Sequence, residues 1–301
     1  MSCPKITSAW TRIIEYPRNH LNDFCLFKGL DGRWHAVGIM GAGTWASETS
    51  LFHCSSAELY GPYAKHPPLL AGLAQGKTQN AAPQKHAPFV VVRNGIGCMF
   101  LRRPPGTNLL VTSPDGFRWT SDPVVVFEQN DARDACIRDF AGIYHWYYCQ
   151  WQELDGKGRS CIMLRRSRDL EHWDDPLPVH VDTSREVAHS HLESPFVVRA
   201  AGRYWLFVRN RALDEACITT VFCSDSPKSF ASGTRAWDAE LPGIHAPELV
   251  RDQGRWHIAR VSGPPDHLPC APKTGGWIEL AGIDFAGAVS AGRGKSKTGK
   301  D

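Results

Sequence analysis

A layout that recurs five times along the chain is the feature that most limits how it can fold. Each copy has a polar or charged head, continues as a short apolar stretch, passes a turn that contains glycine, and ends in a stretch rich in aromatic residues. The five copies read HLNDFCLFKGLDGRWHAVGIMG, HAPFVVVRNGIGCMFLRRP, ARDACIRDFAGIYHWYYCQW, HLESPFVVRAAGRYWLFVRNR and HAPELVRDQGRWHIARVSG. Glycine supplies the positive φ of tight hairpin turns, and the residues beside it suit packed strands. Each copy therefore predicts a β-hairpin with a polar head.

Further strands follow most of the five copies. A second motif runs as a strand into serine and a polar turn, and it reads LFHCSSAELYGPYA, LLVTSPDGFRWTSDP, CIMLRRSRDLEHWDDP and TVFCSDSPKSFASG. Each unit thus supplies about four strands, and neighbouring heads stand 48 to 63 residues apart at Asp23, His86, Asp134, Glu193 and His245. A period of this size with four strands in each unit is typical of β-propeller blades.

The repeat leaves one architecture that fits all five copies. Helical repeats are excluded because no segment keeps a 3.6-residue period over three turns, and a sandwich would not explain the repeated heads. We therefore predict an all-β, five-bladed β-propeller with four-stranded antiparallel blades around a central funnel. Residues 1–290 are expected to form this single domain, followed by a disordered, basic Gly/Lys-rich tail over residues 291–301. GGWIELAGIDF near the C-terminus and AWTRIIEY near the N-terminus are candidates to complete the fifth blade.

The net charge and the cysteine pattern limit the kinds of binding partner and the cellular compartment that we expect. A net charge of +3 with a pI near 8.3 gives no reason to expect a nucleic-acid partner. No apolar run reaches signal-peptide or transmembrane length, so we expect no membrane partner. The ten cysteines are scattered without a CxxC pair or zinc-like spacing, which is typical of buried, reduced thiols. These features favour a cytoplasmic protein, or a secreted one if a signal had been removed, and a monomer or small homo-oligomer.

The heads point to chemistry because they differ from blade to blade. The first strand of a propeller blade lines the central channel, so five heads from distant parts of the chain are expected to meet at one pocket. Their motifs are LND at Asp23, HAPF at His86, ARDA at Asp134, LESP at Glu193 and HAPE at His245. In this order they resemble the five-bladed β-propeller glycosidases of glycoside hydrolase family 43 and the related families 32, 62, 68 and 117. The resemblance extends over nearly the whole chain.

The resemblance implies a role for each acidic head. Glu193 matches the general acid of family 43, Asp23 the general base, and Asp134 the residue that modulates the pKa of the acid. Glycoside cleavage uses two carboxyl groups, one to protonate the leaving oxygen and one to activate the attacking water. On this basis we expect Asp23 to be ionised and Glu193 to be protonated near neutral pH. The prediction is a glycoside hydrolase of carbohydrate metabolism that cleaves short glycosides or oligosaccharides with inversion.

Other polar residues near the heads are candidates to bind the sugar. The predicted substrate-binding residues are Asn22, His86, Arg133, His191, Arg209 and His245. The expected partner is therefore a small carbohydrate. No cofactor is required for this chemistry and no metal ligands are predicted, although the resemblance leaves room for a calcium ion near His245 in the central channel.

Two departures from the family pattern leave other functions open. The prolines that usually follow the aspartates of blades one and three are replaced by Phe24 and Ala135. LND is also similar to the nucleophile motif of the family 32 fructosidases, which would make Asp23 the nucleophile of a retaining fructosidase or transglycosylase. A non-catalytic carbohydrate-binding propeller would keep the fold and lose turnover.

Overall fold

The computed structural model describes residues 3–43, 47–70, 86–104, 106–120, 122–211, 217–232, 237–263 and 275–285. This part of the chain contains 21 β-strands, arranged in five separate antiparallel sheets. Within the described ranges, no helix has the length and apolarity that a membrane crossing requires. The all-β prediction is therefore confirmed. Residues 291–301, predicted to form a tail, lie outside the described residues.

Four blades are built from four consecutive strands each, hydrogen-bonded in chain order. Blade one contains β3 (His20–Lys28), β4 (Trp34–Gly41), β5 (Ser50–Ser56) and β6 (Ala64–Leu69). Blade two contains β7 (His86–Arg93), β8 (Ile96–Arg103), β9 (Thr107–Ser113) and β10 (Val124–Glu128). Blade three contains β11 (Arg133–Phe140), β12 (Ile143–Leu154), β13 (Lys157–Ser167) and β14 (Leu177–Asp182). Blade four contains β15 (Leu192–Ala200), β16 (Arg203–Asn210), β17 (Thr219–Ser224) and β18 (Ala239–Leu241).

Blade five closes the ring with strands from both ends of the sequence. Its strands are β19 (His245–Asp252), β20 (Arg255–Ser262), β21 (Gly276–Asp284), β1 (Lys5–Ile6) and β2 (Thr11–Tyr16). Both β1 and β2 pair antiparallel with β21, on the side that faces away from β20. The two candidate segments named from the sequence therefore both take part. The edge of β21 is covered, and this edge would otherwise invite pairing with another chain.

Aromatic side chains of the second strands form much of the packing between blades. Trp146, Tyr147 and Tyr148 of β12 are fully buried. The Trp146 ring packs edge-on against Phe100 of blade two, with 4.9 Å between the ring centroids. Many of the aromatic residues in the sequence therefore pack in the core, where large rings bury the most apolar surface.

The innermost strand of every blade carries a β-bulge at the same place. The pairing with the second strand shifts between Leu21 and Phe24, His86 and Phe89, Arg133 and Cys136, Glu193 and Phe196, and His245 and Glu248. In each case two residues of the inner strand oppose one residue of its neighbour, which bends the strand and redirects its side chains. The first bulged residue has a φ of 45° to 62° at Ala87, Asp134, Ser194 and Ala246. Such left-handed non-glycine residues are uncommon and cluster at functional sites.

The common register gives an internal alignment of the five blades. Asn22 lies level with Asp134, whereas Asp23 lies one position further, level with Ala135 and the prolines Pro195 and Pro247. The repeated heads in the sequence matched Asp23 with Asp134. In the structure, Asp23 lies one residue beyond the position that is level with Asp134. Neither Asn22 nor Asp23 adopts a positive φ, so the bulge of blade one has its own conformation.

Candidate active site

The five bulges form a ring that narrows the central channel. Residues from all five inner strands line the space at the axis, and they are Asp23, Phe24, Ala87, Pro88, Asp134, Ala135, Ser194, Pro195, Ala246, Pro247 and Glu248. The volume of this space is about 20 Å³. That is room for a single water molecule and far too small for a sugar ring. A sugar would therefore have to bind above this ring, towards the ends of the strands that carry the heads.

Ser194 joins two of the predicted catalytic residues across three blades. Its backbone N–H donates a hydrogen bond of 3.0 Å to Asp134 Oδ2, and its hydroxyl donates one of 2.9 Å to Asp23 Oδ1. The left-handed backbone at Ser194 allows the N–H and the hydroxyl to face two different neighbours. Asp23 and Asp134 are thus held close together although 111 positions separate them in the sequence.

Glu193 lies beside this pair and is surrounded by three guanidinium groups. Arg209 contacts Glu193 Oε2, Arg211 Nη1 lies 3.3 Å from Oε1, and Arg133 Nη2 lies 3.8 Å from the same oxygen. The Glu193 side chain is 18% exposed, and Arg211 is 46% exposed, whereas Arg209 is buried. We call these four residues the rim cluster. Opposite charges at such distances stabilise one another strongly where water is partly excluded.

Arg133 is fixed in the rim cluster by contacts of its own. Its guanidinium group lies 2.7 Å from Asp131 Oδ1 and 3.6 Å from Asp134 Oδ2. It also donates to the backbone carbonyl groups of Ser190 and Leu192. Arg133 therefore holds blades three and four together, and its predicted contact with substrate stays a prediction.

The axial carboxyl groups are in a different electrostatic environment. Burial, followed by the negative charges of Asp134 and Glu193, raises the pKa of Asp23 well above its usual range. The pKa of Asp134 is also raised: burial and Glu193 raise it, and Arg133 acts in the opposite direction. The prediction that Asp23 is ionised near neutral pH does not follow from this environment, because burial disfavours the charged form.

Asn22 and His245 belong to a buried network that links blades one and five. The amide nitrogen of Asn22 donates 3.2 Å to Glu48 Oε1, and its oxygen lies 2.8 Å from His245 Nε2. His20 Nε2 lies 2.9 Å from the same Glu48 oxygen. Both ends of the Asn22 amide are therefore engaged within the protein. His245 must donate from Nε2, and burial together with Arg209 and Arg211 lowers its pKa well below the usual value.

His191 is held in a similar way next to Glu193. Its Nε2 lies 2.7 Å from Asp182 Oδ2, and its backbone N–H donates 3.0 Å to the hydroxyl of Ser160. The hydrogen bonds and the ion pair keep the pKa of Asp182 far below its usual range, against the effect of burial. His86 begins strand β7, but its side chain lies outside the described residues. The substrate contacts predicted for both histidines stay predictions.

Ser194 and Glu48 were not assigned a role from the sequence, and Glu248 was seen there only as a residue that flanks the head of blade five. Ser194 is signalled only by its place next to Glu193 in a motif whose equivalents read HAP in blades two and five. Glu48 lies in the connection after β4 and carries no local motif. Glu248 stands level with Phe24, Phe89, Cys136 and Phe196, so it is a carboxyl group where four blades have an apolar or thiol side chain.

A metal ion would need several ligand side chains close together. No group of three or more His, Cys, Asp or Glu residues in the described part of the chain could hold a metal ion. The His245 ring is bonded through Nε2 to Asn22, and calcium prefers oxygen ligands. The calcium ion for which the resemblance leaves room near His245 stays untested, and these residues provide no ready ligand set for it.

The sequence shows limited similarity to known proteins. No family model matches the chain. A segment of 111 residues is 32% identical to the uncharacterized protein Rv1502 of Mycobacterium tuberculosis, and it covers 34% of this chain and 37% of that protein. The match thus spans about a third of either protein.

The structure is similar to solved glycosidase structures over most of the chain. A thermostable family-43 glycoside hydrolase matches with a TM-score of 0.63 at 15% identity, over 89% of this chain and 90% of the other. RS223 β-xylosidase matches with a TM-score of 0.64 at 14% identity, over 89% and 94%. Native Bacillus subtilis arabinanase Arb43A matches with a TM-score of 0.62 at 13% identity, over 90% and 98%. The fold is that of the five-bladed β-propeller glycosidases, as the heads had indicated.

Proposed function

We propose that the protein is a glycoside hydrolase that acts on short glycosides or oligosaccharides. In this proposal Glu193 is the general acid, Asp23 the general base, and Asp134 the residue that adjusts their pKa values. The observation that supports it best is the meeting of these three carboxyl groups from blades one, three and four around Ser194. The likeness to xylosidase and arabinanase structures supports the fold on which such a site is built.

The positions of the two carboxyl groups suit two separate tasks. Glu193 lies at the rim, where a leaving group could reach it, and Asp23 lines the axial space, which has room for a water molecule but not for a sugar ring. An acid on one side of the scissile bond and a base on the other give direct attack by water, with inversion at the anomeric carbon. Asp23 must lose its proton before it can act as the base, and Ser194 orients its carboxyl group in either form.

The stereochemical outcome separates inversion from the retaining alternative. A retaining fructosidase or transglycosylase would use Asp23 as a nucleophile and form a covalent glycosyl-enzyme. Proton NMR of the first-formed anomer decides between them. Inversion supports our assignment, and retention makes Asp23 the nucleophile.

The central test is a panel of aryl glycosides assayed with wild type and Glu193→Gln. We expect the variant to lose about 10²- to 10⁴-fold in kcat/KM, because an amide has no proton of the required acidity to give to the leaving group. A substrate with a good leaving group, such as a dinitrophenyl glycoside, should be affected least.

A matched control for this test is Glu279→Gln. Glu279 is also paired with a guanidinium group, since Arg260 Nε lies 2.9 Å from its Oε2, but it lies on β21 at the outer side of blade five. Activity of Glu279→Gln should equal that of wild type. Unchanged hydrolysis in Glu193→Gln would remove Glu193 as the acid.

The displaced bulge of blade one favours a second candidate function. Asn22 occupies the level at which blade three carries Asp134, and its amide is fully engaged by Glu48 and His245. A propeller in which the acidic residue of blade one is displaced in this way would bind a carbohydrate without cleaving it. Binding of sugars in calorimetry, together with no hydrolysis across the panel by wild type, would establish this function instead.

A further inference from the structure

The inner strands line a second space, at the end of the channel that is opposite to the heads. Its described walls consist of residues 25–28, 89–91, 137–139 and 248–251 of four inner strands, Phe196 of the fifth, and Trp34 of β4. The volume of this space is about 410 Å³. Pockets that bind small molecules have volumes in this range. We call this space the far cavity.

A layer of side chains lies between the far cavity and the axial space at the bulges. The layer consists of the residues that stand level in the five inner strands, which are Phe24, Phe89, Cys136, Phe196 and Glu248. The rings of Phe89 and Phe196 meet across the axis, with 6.1 Å between their centroids. A molecule in the far cavity would therefore lie beyond this layer, away from the heads.

Arg138 is the partly buried cation of the far cavity. It stands two residues beyond the layer on β11, at the level where the other inner strands carry Leu26, Val91, Val198 and Val250. Its guanidinium carbon lies 5.4 Å from the centroid of the Phe196 ring. Among the described residues, none forms an ion pair or a hydrogen bond with this guanidinium group. Its five N–H donors are therefore available to a molecule in the cavity.

The described wall of the far cavity carries more positive than negative charge. Lys28 and Arg251 are exposed at its mouth, together with Asp139. Glu248 is 6% exposed and accepts a hydrogen bond of 3.3 Å from a backbone N–H of β3. Burial raises the pKa of Glu248 well above its usual value, which favours the neutral form. With Arg138, three cations thus face one exposed carboxylate, and an ionised Glu248 would still leave one positive charge in excess.

From this geometry we propose that the far cavity binds an aromatic carboxylate, with Arg138 holding the carboxylate group and the apolar wall packing against the ring. A guanidinium group matches a carboxylate through two parallel hydrogen bonds, which lysine does not reproduce. Phe27, Trp34, Phe89 and Phe196 line the cavity, and aromatic rings pack favourably against one another. A sugar suits these walls poorly because its hydroxyl groups would lose hydrogen bonds to water.

This inference goes beyond the proposed glycosidase function and does not depend on it. None of the catalytic or substrate-binding residues predicted at the heads is among the described residues that line the far cavity. The aryl glycoside panel can therefore fail while the far cavity binds its ligand, and the reverse can also occur.

The experiment is isothermal titration calorimetry of the full chain with two aromatic carboxylates and their neutral amides. Phenylacetate is paired with phenylacetamide, and indole-3-acetate with indole-3-acetamide. We expect at least one acid to bind about tenfold or more tightly than its amide, because a charge-assisted hydrogen bond is stronger than a neutral one. No binding of either acid, or equal affinity for acid and amide in both pairs, overturns the proposal.

Two variants test where the carboxylate binds. Arg138→Ala should weaken binding of the acid about tenfold or more and leave binding of the amide nearly unchanged. Val91→Phe should abolish binding of both, because the larger ring fills the cavity and leaves Arg138 in place. Affinities for the acid that both variants leave unchanged would place the ligand elsewhere and overturn the assignment.

The matched control is Arg199→Ala. Arg199 also lies over an aromatic ring, 5.7 Å from the centroid of Tyr204, but it is not among the described residues that line the far cavity. Its affinities should equal those of wild type. Thermal unfolding of each variant checks the fold. If Arg138→Ala does not fold, Arg138→Lys keeps the charge without the paired hydrogen bonds, and wild-type affinity in that variant would contradict the role of Arg138.

Discussion

The rim cluster and the axial carboxyl groups lie in one funnel, and they differ in the charges that surround each acidic side chain. At the rim, Glu193 is surrounded by the guanidinium groups of Arg133, Arg209 and Arg211. At the axis, the charges that act on Asp23 are those of other carboxyl groups, and burial raises its pKa and that of Glu248. Asp134 lies between the two regions, with Arg133 at 3.6 Å and the Ser194 N–H at 3.0 Å.

The difference shows that the surroundings of an acidic residue, more than its identity, determine its charge. A carboxylate is stable at the rim because cations balance it, whereas a neutral carboxyl group is favoured at Asp23 because the negative charges of Asp134 and Glu193 add to the effect of burial. One site can therefore hold a charged and an uncharged carboxyl group at the same pH. The proposed roles need the reverse distribution of protons, so Glu193 must take up a proton and Asp23 must lose one before the acid and the base can act.

The largest effect is expected from replacing Asp23, the proposed base. Asp23→Asn should lower kcat/KM by about 10²- to 10⁴-fold, because the amide cannot accept a proton from water and keeps only the hydrogen bond with Ser194. Steady-state kinetics on the best substrate of the panel measure this. If the variant keeps wild-type activity, the two regions do not cooperate in catalysis and Asp23 is a structural residue of the bulge.

A smaller effect, on stability, should separate the two arginines of the rim. Arg209→Ala should lower the free energy of unfolding by about 3 kcal/mol, because it leaves a partly buried carboxylate without its closest cation. Arg211→Ala, at a half-exposed position, should lower it by less than about 1 kcal/mol. Urea denaturation of both variants gives the comparison. Equal losses would mean that exposure does not govern these pairs.

The smallest effect is expected at Glu248 and depends on pH. Its pKa is raised mainly by burial, so it favours the folded state at low pH, and this contribution is lost as pH rises through the elevated pKa of the folded protein. Glu248→Gln keeps an acceptor for the Leu26 N–H and has no charge to acquire. We expect the stability of the variant relative to wild type to increase from pH 5 to pH 9 in urea denaturation. A difference that is the same at both pH values would show that Glu248 does not titrate in this range.

Much of the fold follows from repetition in the sequence. The glycine turns and aromatic strands predicted five hairpins, and the spacing of the heads predicted five blades of four strands, because a repeated unit must bury the same face in each copy. AWTRIIEY and GGWIELAGIDF were foreseen as partners in the last blade, and β2 and β21 are built from them.

The site was only partly predictable because its details depend on backbone register. The convergence of Asp23, Asp134 and Glu193 follows from the ring, but the one-residue offset of Asp23 depends on which residue of LNDF is bulged. Some side chains of the site come from a connecting loop or from a neighbouring blade, such as Glu48 and the hydroxyl of Ser194. No local sequence pattern marks them as residues of the site. The effect of burial on the pKa of Asp23 depends on contacts between blades, which no single motif encodes.

The closure of blade five has a consequence for biosynthesis. Strands β1 and β2 precede the other strands of the propeller in the sequence, yet their partner β21 begins at Gly276, so they stay unpaired until β3 to β20 have been synthesised. Until then β20 also lacks its outer neighbour, and translation products that stop before β21 would expose the edges of β1, β2 and β20. Such edges attract other chains, so truncated products should be found in the insoluble fraction of the cell and bound to chaperones.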